Sequence, residues 1–147
     1  MKTVEEDRIH RVVTGQSQFA DPFIHYPLDP ATKDYVQKEL APLSPFGKQT
    51  QIQFADSIMN INAEKVVADI SPVPLFIGHG KDNLLHPLAE STALYEAANE
   101  AKQFYLIEGK HNDFMYHEHP VFQELVSELT TFFNTHITVD RKKVVMV

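Results

Sequence analysis

The chain has 147 residues, a formal net charge of −7, 43% hydrophobic residues and no cysteine. One domain with a sizeable core is expected at this length. Disulfides and thiolate metal sites are excluded, and the acidic balance argues against nucleic acid and anionic membrane surfaces as partners. No run approaches the ~20 apolar residues of a membrane span. The opening Met-Lys-Thr-Val-Glu-Glu-Asp carries no apolar signal region, which with the missing thiols fits a reducing, cytoplasmic setting.

In chain order, Glu5-Glu6-Asp7 reads as a solvated turn or helix end. Residues 8–14, with the β-branched run Ile9–Thr14, predict a short strand ending at Gly15. Gln16–Pro27 holds Phe19, Phe23, Ile24 and Tyr26 among two prolines, so it is expected as a loop with aromatic anchors. Asp29-Pro30 is a strong helix opening, an N-cap followed by proline at the first helical position. Tyr35, Val36 and Leu40 continue that helix until Ala41–Gly47 breaks it. Gln51–Asn60 predicts a second helix with Ile52, Ala55, Ile58 and Met59 on one side, and Asn62 caps a short third one, Ala63–Asp69. These three helices, within residues 28–70, form either a lid over a site or a cover for one sheet face.

Ser71-Pro72 ends the third helix and feeds an apolar strand, about residues 73–78. A helix from Pro87 to Glu100 follows, its Leu88, Ala89, Ala93, Leu94, Ala97 and Ala98 suited to close packing, then a strand at about 103–108. Strand, helix, strand in this order implies a parallel crossover. Val121–His136 carries the strongest apolar stripe, with Phe122, Leu125, Val126, Leu129, Phe132 and Phe133 at three- and four-residue steps. Residues 138–147 form a polar-then-apolar tail, either an irregular end or an edge strand.

The chemistry-bearing residues fall where a parallel sheet would use them. Asp82 lies just past the first of these two strands, and His111 follows 111 − 82 = 29 residues later, just past the second. Loops at the carboxyl ends of parallel strands carry ligands and catalytic groups. A carboxylate that orients a histidine is the supporting half of a Ser-His-Asp arrangement, and acid before histidine is the chain order of hydrolases with a strand-turn-helix nucleophile. No Gly-x-Ser-x-Gly occurs. The nearest approach is Gly15-Gln16-Ser17-Gln18-Phe19, where Phe19 stands in place of the last glycine and Pro22 interrupts the helix that an elbow needs. Ser17 is therefore a secondary candidate nucleophile. Phe19, Phe23, Tyr26, His79, His86 and Phe114, with Tyr116, are candidates for lining a pocket. His111, Asp113, His117, Glu118 and His119 crowd together, but no pair has helical metal-ligand spacing and Pro120 follows, so no metal site is expected.

The motifs His79-Gly80-Lys81-Asp82 and Gly109-Lys110-His111, with the proline-rich entry, the Ala-rich helix between them and the Phe-rich final helix, resemble the C-terminal part of an α/β-hydrolase. Asp7-Arg8-Ile9-His10-Arg11-Val12-Val13 resembles, more weakly, the sixth strand of that family's sheet. The nearest likeness is to the subgroup of dienelactone-hydrolase-like enzymes and fungal polyketide-cluster hydrolases or acyltransferases, which carry a small helical lid. The resemblance implies an α/β fold: a truncated α/β-hydrolase, one domain over 1–147, with about three parallel strands, flanking helices and a lid insertion at 28–70. It implies Asp82 as catalytic acid and His111 as base, an ester, thioester or lactone acyl substrate, and no cofactor. The strand at residues 8–14 would then expose an unpaired edge, suited to a homodimer or a complementing partner. Two other readings stay open: a non-catalytic binding module, and a proton-transfer catalyst of cyclase type that uses Asp82 and His111 without a serine.

Overall fold

The structure is a computed structural model that describes residues 2–23, 27–43 and 49–137. The chain divides into two compact units, Met1–Asn62 and Ala63–Val147. No described helix is long and apolar enough to cross a membrane.

The first unit is built on helix α1 (Lys2–Thr14), which packs against α3 (Ile52–Asn60). Between them come the two-residue strand β1 (Phe19–Ala20), helix α2 (Pro30–Tyr35), a π-helical turn at Val36–Leu40, and β2 (Thr50–Gln51), antiparallel to β1. As the Asp-Pro opening implies, the Asp29 side chain accepts from Ala31 N and Thr32 N at the start of α2.

The strand expected over residues 8–14 is a helix. Ile9, Val12 and Val13 favour a strand by propensity, but they point outward, at 66%, 87% and 79% exposure. What decides the conformation is the stripe at helical spacing: Val4 and Asp7 are buried, and Arg11 forms an i,i+4 ion pair with Asp7. Tertiary packing and ion pairing on that stripe override β-branched preference. Asp7 is thus a core residue rather than a solvated one. Residues 8–14 also do not form the open strand edge proposed for a dimer or partner.

The second unit holds the parallel sheet. β3 (Leu75–Gly80) and β4 (Lys102–Ile107) pair in register from Leu75↔Lys102 to Gly80↔Ile107. The parallel sheet therefore has two strands among the described residues, not three. Helices α4 (Leu88–Ala97) and α5 (Pro120–His136) pack against both strands. Strand alternation assigns the faces. His79 bonds Ser91 of α4, and Phe104 meets Tyr95 of α4, so these residues share one face. Phe76 packs edge-on against Phe132 of α5, and Gln103 bonds Glu128 of α5, so that helix covers the other face. Ile77, Ile107 and Phe132 form the buried centre of this layered unit, with Val67 and Ala98 at its margins. α4 turns Ser91, Leu94 and Tyr95 inward, whereas Ala89 and Ala93, expected in the core, face solvent. The short third helix is two 3-10 turns, Ala63–Lys65 and Val67–Ile70. The tail at 138–147 lies outside the described residues.

Candidate functional site

Because β3 and β4 are parallel, both carboxyl ends lie at one sheet edge. The ladder continues past the strands: Lys81 N donates to Ile107 O at 2.8 Å, and Asp82 N donates to Gly109 O at 2.9 Å. The turn after β3 and the turn after β4 are thereby stitched together. Gly80 permits this approach, since a Cβ there would lie 2.9 Å from both Gly109 O and Lys110 O. Gly109 has φ +130, a left-handed value that side chains resist, and the Asp113 carboxylate fills the space its Cβ would take while accepting from Lys110 N at 2.8 Å. These contacts fix the turn that carries His111.

The side chain that meets His111 is Asn83. Its Nδ2 lies 3.0 Å from His111 Nδ1, and its Oδ1 accepts from Leu85 N at 2.9 Å and His86 N at 3.0 Å. Asp82 sits on the same turn, adjoining the His111 turn through its backbone. Its side chain is exposed, and among the described residues no hydrogen bond joins its carboxylate to His111. The structure also gathers His86, whose ring centroid is 5.3 Å from that of His111, and Phe114, at 6.4 Å. Asp82, Asn83, His86, His111 and Phe114 therefore share one edge.

The other candidates are distributed differently. His79 is buried and turned toward α4, where Nδ1 lies 2.8 Å from Ser91 Oγ. His117 faces Glu118 at 3.6 Å, and His119 Nδ1 caps α5 by accepting from Val121 N. No three His, Asp or Glu side chains converge as a metal would need among the described residues.

Ser17 and Phe19 belong to the first unit. Ser17 is buried, and its hydroxyl lies 3.0 Å from Asp7 Oδ2 while accepting from Gln53 N at 3.0 Å. It works there as a cap on α3 and a partner for Asp7. Phe19 is 59% exposed on β1. Phe23 lines an apolar cleft with Pro22, Ile52, Phe54, Ile58 and Met59. Tyr26 lies outside the described residues.

A second cluster of charge occupies the first unit. Asp7, fully buried, accepts from Gln18 N at 2.7 Å and from Arg11 Nε at 2.9 Å. Asp56 receives Arg8 Nε at 3.0 Å and Arg11 Nη2 at 2.5 Å, and the Asn60 amide at 3.0 Å. Burial pushes the Asp7 carboxyl up, but the Gln18 N–H, the Ser17 hydroxyl and Arg11 together hold it below its ordinary value. Hydrogen bonds from Arg8, aided by Arg11 and opposed by burial, lower Asp56 to about 2. These groups are saturated by one another and clamp α1 to α3.

Sequence reasoning missed Asn83 and this clamp. The signals were present but weak: an asparagine in a turn beside the predicted acid, and an Asp-x-x-x-Arg pair at one-turn spacing.

No family model and no curated protein matches the chain. Solved structures do. The chain is similar to the α/β hydrolase GrgF from Penicillium sp. sh18, with TM-score 0.67, 17% identity, and coverage of 92% of this chain and 47% of that one. It is similar to DcsB, solved with its substrate analogue, with TM-score 0.69, 15% identity, and coverage of 91% and 50%. It is also similar to the hypothetical protein PA2218 from Pseudomonas aeruginosa, with TM-score 0.62, 19% identity, and coverage of 92% and 44%. The likeness shows an α/β-hydrolase-like fold, and the chain spans about half the length of the structures it matches.

Proposed function

We propose that the chain acts at an acyl or carbonyl centre in the manner of an α/β-hydrolase-type hydrolase or acyltransferase, on an ester, thioester or lactone. Proton handling falls to His111, with Asp82 as the acid on the neighbouring turn. The observation that carries this reading is the stitched pair of turns at the carboxyl ends of β3 and β4, in a fold shared with an α/β hydrolase. The same reading keeps 1–147 as one hydrolase-like domain with residues 28–70 as its lid, in a cytoplasmic protein that needs no cofactor. Since the Ser17 hydroxyl is engaged by Asp7 and Gln53, the attacking hydroxyl of an acyl transfer would be supplied in trans by a complementing partner.

A second reading is favoured by the Asn83–His111 contact and by the engagement of Ser17: intramolecular proton transfer or cyclisation, with no covalent acyl intermediate. A fluorophosphonate probe and a panel of acyl esters, thioesters and lactones separate the two. Acyl transfer predicts covalent labelling of the assembled protein and a loss of turnover of about 10²–10⁴ on His111→Ala. The same loss without labelling favours proton transfer. Turnover that His111→Ala leaves untouched refutes both, and neither turnover nor labelling in the unaltered protein leaves a binding module.

A further inference from the structure

We propose that Asn83 is the positioning residue of this site, holding the neutral His111 ring with its proton on Nε2, so that the ring meets a substrate as a hydrogen-bond donor. An amide offers two different ends, a carbonyl oxygen that accepts and an NH2 that donates. Here the oxygen end is fixed by two backbone donors, Leu85 N at 2.9 Å and His86 N at 3.0 Å. Rotating the amide by half a turn would set NH2 hydrogens against both N–H groups, lose both bonds and leave two backbone donors facing a donor. The NH2 end therefore faces His111 Nδ1, 3.0 Å away. A donor facing that nitrogen requires it to carry the lone pair, and a neutral imidazole then has its proton on Nε2.

This tautomer is the opposite of the one a serine nucleophile needs. A general base in a Ser-His-Asp arrangement donates from Nδ1 to its carboxylate and accepts with Nε2. His111, held by Asn83, presents Nε2–H instead. A neutral imidazole N–H placed at a carbonyl oxygen stabilises negative charge as it develops there. The ligand class that fits is a carbonyl compound whose oxygen becomes enolate-like or tetrahedral, with the proton remaining on the ring. This role in turnover rests on the second, serine-free reading above, with His111 stabilising the developing charge rather than serving as the base of an acyl transfer; the tautomer itself does not.

The test is nitrogen and carbon NMR of the imidazoles in uniformly labelled full-length protein, with His111 assigned from the signal lost in His111→Ala. The unaltered protein is expected to show His111 protonated on Nε2. Asn83→Asp keeps the oxygen that caps Leu85 N and His86 N but replaces the donor with an acceptor, so the turn is retained and the ring proton should move to Nδ1. A neutral His111 protonated on Nδ1 in the unaltered protein overturns the proposal without any variant. So does an unchanged ring in a folded Asn83→Asp protein. If the ring is Nε2–H and no acyl or carbonyl substrate turns over, the functional reading fails while the tautomer assignment stands. If substrate turns over and the ring is Nδ1–H, the tautomer assignment fails while the functional reading stands.

Discussion

Replacing Gly80 with alanine should disrupt the edge on which the site depends, and the structure sets the size of the effect. The added Cβ would lie 2.9 Å from Gly109 O, 2.9 Å from Lys110 O and 3.1 Å from Lys110 C. An ordinary close carbon–oxygen contact is about 3.3 Å or more, so overlaps of about 0.4 Å must be relieved. All three obstacles are backbone, and none can rotate away as a side chain would. The relief available is separation of the two turns, which stretches the Lys81 N–Ile107 O and Asp82 N–Gly109 O bonds. Overpacking costs about 1–3 kcal/mol, and a weakened hydrogen bond adds about 1, so Gly80→Ala should destabilise the second unit by roughly 2–4 kcal/mol. Gly78→Ala is the control. Its Cβ meets Ile107 Cδ1 at 3.1 Å and Leu125 Cδ1 at 3.5 Å, methyl groups that can shift, so its cost should stay below about 1.5 kcal/mol. Urea unfolding of the two variants, followed by circular dichroism, measures both. A Gly80→Ala protein no less stable than Gly78→Ala would refute the claim that close backbone approach builds this edge.

The clamp in the first unit should make stability fall in acid. Asp7 and Asp56 both titrate below the ordinary carboxyl value of 3.8 in the folded chain. Their contribution is complete above that value and is lost as pH falls through the folded ones, about 2 for Asp56. The urea midpoint should drop between about pH 5 and about pH 2.5, and Asp56→Asn should flatten its share of that slope; an acid dependence identical in the variant would count against the clamp. In the second unit, Phe132 is 4% exposed, with ring centroids 5.6 Å from Phe76 and 5.1 Å from Phe133. Phe132→Ala should cost about 3–5 kcal/mol in the same assay. Val126→Ala, on the same helix but 40% exposed, should cost less than about 1 kcal/mol, and equal losses would show that α5 does not dock through this face.

The second unit was legible because its elements obey local rules. The α5 stripe at three- and four-residue steps, the proline before β3 and the glycines after each strand all act within a few residues. The first unit was not, for a physical reason. Residues 8–14 carry β-branched side chains, but their conformation is set by Asp7 and Arg11 reaching Ser17, Gln18 and Asp56, partners up to 45 positions away. A single sequence shows a charged residue without showing whether its counter-charge is solvent or a distant helix. Burial of Asp7 is affordable only through those partners, and none is visible from the neighbouring residues.

The site divides along the same line. Periodicity and turn signals were enough to bring the turns after β3 and β4 to one edge, since parallel pairing follows from the strand-helix-strand order. They were not enough to say which side chain of Lys81-Asp82-Asn83 addresses His111. That depends on the turn's conformation, where Asn83 N donates to Gly80 O at 3.1 Å and the Asn83 side chain folds back over Leu85 and His86. An Asx turn of this kind is favoured by Asp and Asn alike, so residue type does not choose between neighbours. The choice matters chemically because the two offer opposite functions to one ring nitrogen. A carboxylate at Nδ1 favours the base, whereas an amide NH2 at Nδ1 favours the donor. One position in one turn therefore sets the direction in which His111 can handle a proton.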